Sequence, residues 1–530
     1  MKAIKLILLL SLFLNTACEN NFDPKIYGVM GSTNFPKTKA DYENLMLQCY
    51  IPFACVNWGY SFGAYQQSFS NPVAGTVRML DGTSDICAPW QIGTWGGSWL
   101  HLTSGQFDNM KLYGRASGDN PSHFEKVRDI SRFTHTIGML EKATTISEDF
   151  KLELIGEARL LRGLMMYYLL HYFGPVPVIV DPELIGNLDA EAELTRPSLA
   201  QMVQYITDDL EFAVSHVNEK QSERGRYTAD YARFCLMRHY LNEGVENPEY
   251  YTKACRLFTE FTGNYSLFGK GENPYMEQFK SVNNFNCETI MAVVCSTDET
   301  NGNMNGLSYY AIPPDVAVAD DKGNRSPFAL HLGPWGHCYN IDPQFYDTFE
   351  EKDKRREAII TSYYSKNGYW VTREDLGVRW SGFIANKFPI ESATFSQPGA
   401  IPLARWADVL LMYAEAETRK NNVVVPTAVD CVNIVRERAG LGKLSDEKTT
   451  SATTFLNAIL MERGHELFFE GCRKIDLSRF NKYYTIMTEF GRSPSSQYFP
   501  IPDYAIRQAA DTGKELTQYF TRDNYDGPNK

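Results

Sequence analysis

The chain has 530 residues, of which 43% are hydrophobic and 22% charged, and its net charge is −12 at pH 7. This composition predicts a globular protein with a large core and, by length alone, about two to four domains. The negative charge argues against a nucleic-acid partner, because phosphate binding needs a basic face, and it fits a neutral or hydrophobic ligand better than a polyanion.

The N-terminus indicates a targeting signal. Two lysines precede an apolar run from Leu6 to Leu14 that is too short to cross a bilayer as a helix, and two small residues then precede Cys18. This pattern resembles a bacterial lipoprotein signal, so we expect residues 1–17 to be removed and Cys18 to be acylated. An ordinary secretory signal with a coincidental cysteine is the alternative. The remaining cysteines show no CxxC spacing, and a Cys49–Cys55 pairing stays open.

Apolar residues recur at helical spacing along much of the chain. A first long helix is predicted between an N-cap at Ser147 and a stop at Gly174, and a second begins where Ser198 and Gln201 fit a capping box. Further helices are predicted at 228–242, 249–262, 404–420, 427–439 and 455–469. Paired antiparallel helices of this kind predict a mostly α-helical fold with a tetratricopeptide-like scaffold.

Two stretches differ in character from the helices. Residues 50–120 and 281–400 are rich in Gly, Pro, Asn, Ser and aromatic residues and contain short β-like runs such as 289–294. They predict long irregular loop lobes with a few short strands. Loops of this length are uncommon unless they carry function.

Three acids lie one helical turn apart, at Glu462, Glu466 and Glu470. Like charges at that spacing repel by about 0.2–0.5 kcal/mol per pair, so something should offset the cost. Two such acids could form the carboxylate pair of a glycosidase. Arg463 and Arg473 could instead neutralise the column if the helix continues past Gly471, and this structural interpretation is favoured. No catalytic residue, metal site or cofactor is predicted, and residues 320–324 (DDKGN) indicate a plain turn.

Six blocks of sequence, in order, carry a resemblance to a known family. They are EARLLRGLMMYYLLHYFGPVPVI (157–179), GRYTADYARFCLMRHYL (225–241), RWADVLLMYAEA (405–416), VNIVRERAGL (432–441), ILMERGHELFFEGCRKIDLSRF (459–480) and YFPIPDYAIR (498–507). Together they resemble the SusD/RagB family of outer-membrane nutrient-binding lipoproteins. The resemblance implies a SusD-like N-terminal region at 18–225, a helical pair at 226–280 and a RagB/SusD C-terminal region at 281–530.

The resemblance also implies a function. Members of this family bind oligosaccharides, or in some cases peptides, at the cell surface and deliver them to a SusC-type TonB-dependent transporter without covalent chemistry. We therefore expect a lipid-anchored outer-membrane protein that faces the cell exterior and captures an oligosaccharide. A peptide-capturing RagB-like protein is the alternative, and a surface glycoside hydrolase is the alternative of another class.

The tryptophans indicate where the ligand would bind. Seven of the eight lie in the irregular lobes: Trp58, Trp90, Trp95, Trp99, Trp335, Trp370 and Trp380. Sugar rings present C–H faces that stack on aromatic planes, and hydroxyl groups need polar side chains at the rim.

The family's N-terminal lobe carries a stacking tryptophan in a Trp/Gly-rich stretch, which Trp95 and Trp99 match equally well. Its second lobe would supply the other wall. The candidate ligand-binding residues are Trp95, Trp99, Tyr309, Tyr310 and Trp335, with Arg78, Asp81 and Asn303 nearby. The alternative is that each aromatic side chain packs into the core of its own lobe.

Overall fold

The structure is a computed structural model that describes residues 35–54, 68–70, 75–89, 96–107, 123–297, 303, 305–326 and 339–519, with the backbone alone at 96–99 and 192. The expectations for Cys18, Trp95, Trp335 and a Cys49–Cys55 pairing lie outside the described residues, as does the side chain of Trp99.

Helices account for most of the regular structure in these ranges. In chain order they are α1 (Lys39–Leu47), α2 (Gly96–Thr103), α3 (Val127–Glu141), α4 (Glu148–Phe173), α5 (Leu188–Ala192), α6 (Leu199–His216), α7 (Ala229–Glu243), α8 (Glu249–Phe258), α9 (Pro274–Glu277), α10 (Leu307–Ala311), α11 (Pro343–Asp347), α12 (Trp406–Asn421), α13 (Pro426–Arg438), α14 (Ala452–Leu467), α15 (Arg473–Arg479), α16 (Tyr483–Glu489) and α17 (Asp503–Asp511).

The longer helices pack in the predicted pairs, α4 with α6, α7 with α8 and α12 with α13. Neighbouring pairs also pack on each other, through α6 with α7, α8 with α12 and α12 with α14. This arrangement confirms the prediction of a mostly helical, tetratricopeptide-like scaffold. The predicted helix starts fall within a few residues of the observed ones, and Ser198 Oγ accepts a hydrogen bond from the backbone N–H of Gln201 at 3.2 Å.

The pair α4 and α6 shows why these segments become buried helices. Apolar residues on α4 such as Leu154 and Leu161 are 0% exposed, and each fully buried leucine is worth about 1.5–3 kcal/mol. The helices approach closely at Gly163, where a Cβ atom would lie 3.1 Å from Leu210 Cδ2. Arg159 and Arg162 of α4 both donate to the Asp209 carboxylate of α6, at 2.7 Å.

The strands are short and lie in the second irregular lobe and at its border with α12. They are β1 (Thr289–Val293), β2 (Asn340–Ile341), β3 (Ile359–Ile360), β4 (Tyr363–Tyr364), β5 (Trp370–Val371), β6 (Phe383–Ala385) and β7 (Ile401–Arg405). All pairings are antiparallel, in a β1–β7 ribbon, a β2–β6–β3 sheet and a β4–β5 hairpin. The predicted strand at 289–294 is therefore confirmed. No helix within the described ranges has the length and apolar character needed to cross a bilayer.

Candidate functional site

The acidic column begins on α14 but does not stay on one helix. The helix does not continue past Gly471, which was the condition for a ladder along the column, because α14 ends at Leu467 and α15 begins at Arg473. Between them Phe469 (φ 61°) and Gly471 (φ 76°) take up left-handed backbone. Glycine is required at 471, because a Cβ atom there would lie 2.6 Å from Thr76 Oγ1.

Glu466 is the centre of a buried charge cluster. It is 0% exposed. Its carboxylate accepts a hydrogen bond from Arg405 at 3.0 Å and from Arg355 at 3.3 Å, and another from Arg438. Burial alone would raise the pKa of Glu466, but the guanidinium groups of Arg438, Arg405 and Arg355 lower it to about 2. The carboxylate is thus held ionised and fully occupied by cations.

The other two acids of the column have cationic partners as well. Glu462, which is 3% exposed, accepts from Arg355 at 2.7 Å. Glu470 accepts from Arg405 Nε at 2.9 Å and from Lys387 Nζ at 2.5 Å. Burial lowers the pKa of Lys387 to about 8, although Glu470 acts in the opposite direction.

The basic partners are therefore not the ones predicted along the column. Arg463 pairs with Asp408 at 2.7 Å and with Asp476 at 2.8 Å, while Arg473 forms two bonds to Asp85, at 2.9 and 2.8 Å. The cations that neutralise the column come from β7, α13 and the second lobe, which local spacing does not reveal. Glu462 and Glu466 are buried and all three acids are paired with cations, in agreement with the structural interpretation of the column.

Two predicted rim residues, Arg78 and Asp81, lie in the interior. They belong to the helical turn Val77–Asp81 and are 1% and 0% exposed. The Asp81 carboxylate accepts the backbone N–H groups of Gly471, Cys472 and Arg473 at 2.9, 3.0 and 3.0 Å. Burial raises the pKa of Asp81 to about 6, while those N–H groups and Lys387 act in the opposite direction.

Asp81 therefore anchors the first lobe to the start of α15. The guanidinium of Arg78 lies 4.0 Å from the ring centre of the buried Tyr339. Because neither side chain reaches the surface, we leave both out of the ligand-binding surface.

Tyr309 and Tyr310 lie together on α10, as expected for one wall of a site. Their ring centres are 5.4 Å apart, and each packs edge to face against Phe395, at 4.5 and 5.7 Å respectively. Tyr310 is buried and Tyr309 half-buried. Sequence reasoning missed Phe395, which lies in a polar loop with no spacing signal.

Asn303 lines a cleft of about 210 Å³ that has no part of α10 in its lining. Three aromatic side chains, Tyr50, Phe53 and Tyr227, form its apolar wall, and Glu223 and Arg224 lie at its charged side. The rings of Tyr50 and Tyr227 meet edge to face at 4.8 Å. The structure thus brings Tyr309 and Tyr310 together and places Asn303 among other aromatic residues.

The tryptophans whose side chains are described divide into two kinds. Trp380 is 3% exposed and packs against Tyr363 and Phe383. It therefore belongs to the core of its own lobe, which was the alternative to a ligand-binding role. Trp406 stacks on Phe258 and Tyr265 at 5.6 Å. Trp370, in contrast, is 48% exposed.

Metal-ligating side chains do not gather in the ranges that the structure describes, where no group of three or more His, Cys, Asp or Glu could hold an ion. The DDKGN segment is a turn, as predicted. Asp320 Oδ1 accepts the backbone N–H groups of Lys322 and Asn324 at 2.9 and 2.8 Å.

Comparisons with known proteins show which proteins this chain is similar to. The model of the SusD family matches residues 287–525. A SusD-like protein of Bacteroides ovatus is 26% identical over 64% of this chain and 61% of its own. SusD-like protein P25 of Formosa agariphila is 23% identical over 63% of this chain and 65% of its own. The chain thus covers less than two thirds of the length of these two relatives.

Solved structures share the fold over nearly the whole chain. A laminarin binding SusD-like protein superimposes with a TM-score of 0.69 at 21% identity, covering 91% of this chain and 99% of that one. Surface glycan-binding protein A from Bacteroides thetaiotaomicron, in complex with laminarihexaose, gives a TM-score of 0.68 at 18% identity with the same coverage. At these identities the similarity establishes the fold.

Proposed function

We propose that this chain, whose C-terminal half matches the SusD family, binds an oligosaccharide at the cell surface and delivers it to a SusC-type TonB-dependent transporter without catalysing a reaction. The observation that carries the proposal is the fold, which is shared over 91% of the chain with proteins named for binding laminarin and surface glycans.

The proposed site lies on the irregular lobes. Tyr309, which is half-buried, forms one wall with Phe395, the buried Tyr310 packs against both rings, and Trp95, Trp99 and Trp335 remain proposed members. Half-buried aromatic rings suit a pyranose because its C–H faces gain contact area while its hydroxyl groups stay hydrated. Asn303 lines the separate cleft beside Tyr50 and Tyr227, so it is not assigned to this wall.

The charge cluster supports a non-catalytic role. A glycosidase needs one carboxyl group that can give up a proton and a second that can reach the sugar. Glu466 has a pKa of about 2, so it holds no proton to donate at neutral pH, and Glu462 is bonded to Arg355. Both side chains are buried, at 0% exposed for Glu466 and 3% for Glu462.

The N-terminal sequence supports surface attachment. Acylation of Cys18 would attach the chain to the membrane, because each buried CH₂ of an acyl chain contributes about 0.8 kcal/mol to membrane binding. A tether of this kind holds a binding protein beside an outer-membrane transporter.

The test is calorimetry of the purified protein against a panel of neutral and acidic glycans that includes laminarin, with peptides as a second panel. We expect saturable binding to a glycan and loss of affinity in Tyr309→Ala and in Trp95→Ala/Trp99→Ala. Tyr205→Ala on α6 is the matched control, since Tyr205 is also a half-buried tyrosine but lies on the helical scaffold, and it should bind as the parent does.

Three results would contradict the proposal. Binding to peptides alone would favour the RagB-like alternative. Release of shorter sugars from the incubated glycan, followed by chromatography, would favour a hydrolase. Unchanged affinity in the Tyr309→Ala and double tryptophan variants would remove the aromatic site.

A further inference from the structure

The β4–β5 hairpin of the second lobe carries an aromatic pair on its outer face. Tyr364 and Trp370 are cross-strand partners, with ring centres 5.7 Å apart and ring planes inclined at 62°. The neighbouring pair, Tyr363 and Val371, points to the other face and is 5% and 0% exposed. Strand alternation therefore buries one pair in the lobe and leaves the other pair at the surface.

Trp370 differs from the two other tryptophans whose side chains the structure describes. It is 48% exposed, whereas Trp380 and Trp406 pack against other rings. Tyr364 lies beside it, is half-buried and meets it edge to face, so the two rings form one apolar surface patch, here called the ledge. Nearly half of the accessible surface of Trp370 is thus left for a ligand to cover.

The hairpin is mounted rigidly. Asp315 accepts hydrogen bonds from Tyr363 OH at 2.8 Å and from Ser365 Oγ at 2.9 Å, on both sides of Tyr364. The backbone N–H of Lys366 donates to the carbonyl of Asp315 at 2.7 Å, and that of Ser365 donates to the carbonyl of Tyr369 at 2.9 Å. A surface ring held this firmly loses little conformational entropy when a ligand binds.

Charged groups around the hairpin are already engaged. Lys366 Nζ donates to the carbonyl of Pro314 at 2.9 Å. Arg373 pairs with Asp347, and Arg379 pairs with Asp375 while its guanidinium stacks on Tyr369 at 4.6 Å. A charged ligand would have to break these contacts, whereas a neutral ring that lies on the aromatic faces leaves them intact.

From these observations, and resting on the proposed function, we infer that the Tyr364–Trp370 ledge is an accessory binding platform for a neutral pyranose ring of the same glycan. Asp315 follows α10 by four residues, so the segment that pins the hairpin continues directly from the helix that carries Tyr309 and Tyr310. A long glycan held at α10 could rest a further sugar on the ledge, while a short one would not need it.

The test compares chain lengths. Binding of a long neutral polysaccharide and of a short oligosaccharide from it is measured for the parent and for Trp370→Ala, Tyr364→Ala and Trp370→Phe. Val378→Ala is the matched control, because Val378 is 81% exposed in the same lobe and lies outside the hairpin. Circular dichroism and thermal melting establish that each variant is folded.

We expect Trp370→Ala to weaken binding of the long chain by about tenfold or more, since a second contact on one chain multiplies affinity, and to change binding of the short one by less than about twofold. Trp370→Phe should retain most of the affinity, because a ring remains, and Val378→Ala should match the parent.

The outcomes separate this inference from the proposed function. If the parent binds glycans of both lengths and Trp370→Ala binds them equally well, the platform is refuted and the proposed function stands. If the parent binds no glycan, the proposed function fails and the platform fails with it. If Trp370→Ala loses association with a transporter but keeps glycan affinity, the ledge contacts protein and the inference is overturned.

Discussion

Replacing Glu466 by glutamine tests the idea that the acidic column has a structural role, in which its ion pairs hold α14 against the neighbouring elements. The change keeps the size of the side chain but removes the charge that faces Arg405, Arg438 and Arg355. A neutral amide leaves three buried guanidinium groups short of one negative charge. It also turns one acceptor oxygen into an NH₂ donor that faces other donors.

The pKa of Glu466 gives the size of the effect. A fall from 4.5 to about 2 corresponds to about 3 kcal/mol of stabilisation at neutral pH, at about 1.4 kcal/mol per unit of pKa. Breaking a buried ion pair by removing one partner costs about 3–5 kcal/mol in other proteins. Both lines of reasoning lead us to expect that Glu466→Gln lowers the free energy of unfolding by about 3 kcal/mol at pH 7.

Urea unfolding followed by tryptophan fluorescence measures this loss. The sign of the pH dependence is fixed because the pKa is lower in the folded state. The stabilisation is complete above about pH 4.5 and is lost as the pH falls towards 2. The difference in the free energy of unfolding between the parent and Glu466→Gln should therefore be about 1 kcal/mol smaller at pH 3.5 than at pH 7.

Asp347→Asn is the control for Glu466→Gln, since Asp347 and its partner Arg373 are both 48% exposed, and it should cost less than about 1 kcal/mol. If Glu466→Gln lowers the free energy of unfolding by less than about 1 kcal/mol, the structural role assigned to the column is refuted.

Two further substitutions probe other buried charges, again by urea unfolding. Asp81→Ala removes the acceptor of three buried backbone N–H groups, so we expect a loss of about 2–4 kcal/mol, against less than about 1 kcal/mol for Asp320→Ala in its exposed turn. Equal losses would contradict the role of Asp81. Lys474 is buried among Phe107 and Phe499, no hydrogen-bond partner is seen for its Nζ within the described ranges, and burial lowers its pKa well below 10.5. A lysine whose pKa is lower in the folded state weakens that state at every pH below the pKa of the unfolded chain. Lys474→Met should therefore raise the free energy of unfolding by about 1–3 kcal/mol at pH 7, and by progressively less towards pH 10. A lower free energy of unfolding at pH 7 would contradict this account.

The helices could be predicted from the sequence because their apolar spacing is local. The end of α14 could not. Its reversal depends on a tertiary contact, in which Thr76 fits against Gly471 and Asp81 receives the N–H groups at the start of α15. These partners are about 390 residues apart in the chain, so no local pattern reveals them.

The residues of the candidate site could be predicted less completely than the helices. Tyr309 and Tyr310 are predicted as one wall from the resemblance to the family, and their mutual contact follows because they are adjacent in the chain. Phe395, which completes the cluster, comes from a distant loop. Arg78 and Asp81 were placed at the rim because their chemistry suits sugar hydroxyl groups, but a carboxylate also suits helix N–H groups, and sequence alone does not distinguish these uses.

The charge cluster links the scaffold to the lobes that carry the proposed site. Through Glu462 and Glu466 it joins α14 to Arg355 of the second lobe, Arg405 of β7 and Arg438 of α13. Glu470, just after α14, adds a pair with Lys387 of the second lobe. Asp81 and Asp85 attach the first lobe at the start of α15. Apolar contacts tolerate sliding, whereas bonds between guanidinium groups and carboxylates fix direction as well as distance. We therefore expect the cluster to set how the two lobes are oriented, so that Glu466→Gln should weaken glycan binding even at temperatures where the variant is fully folded.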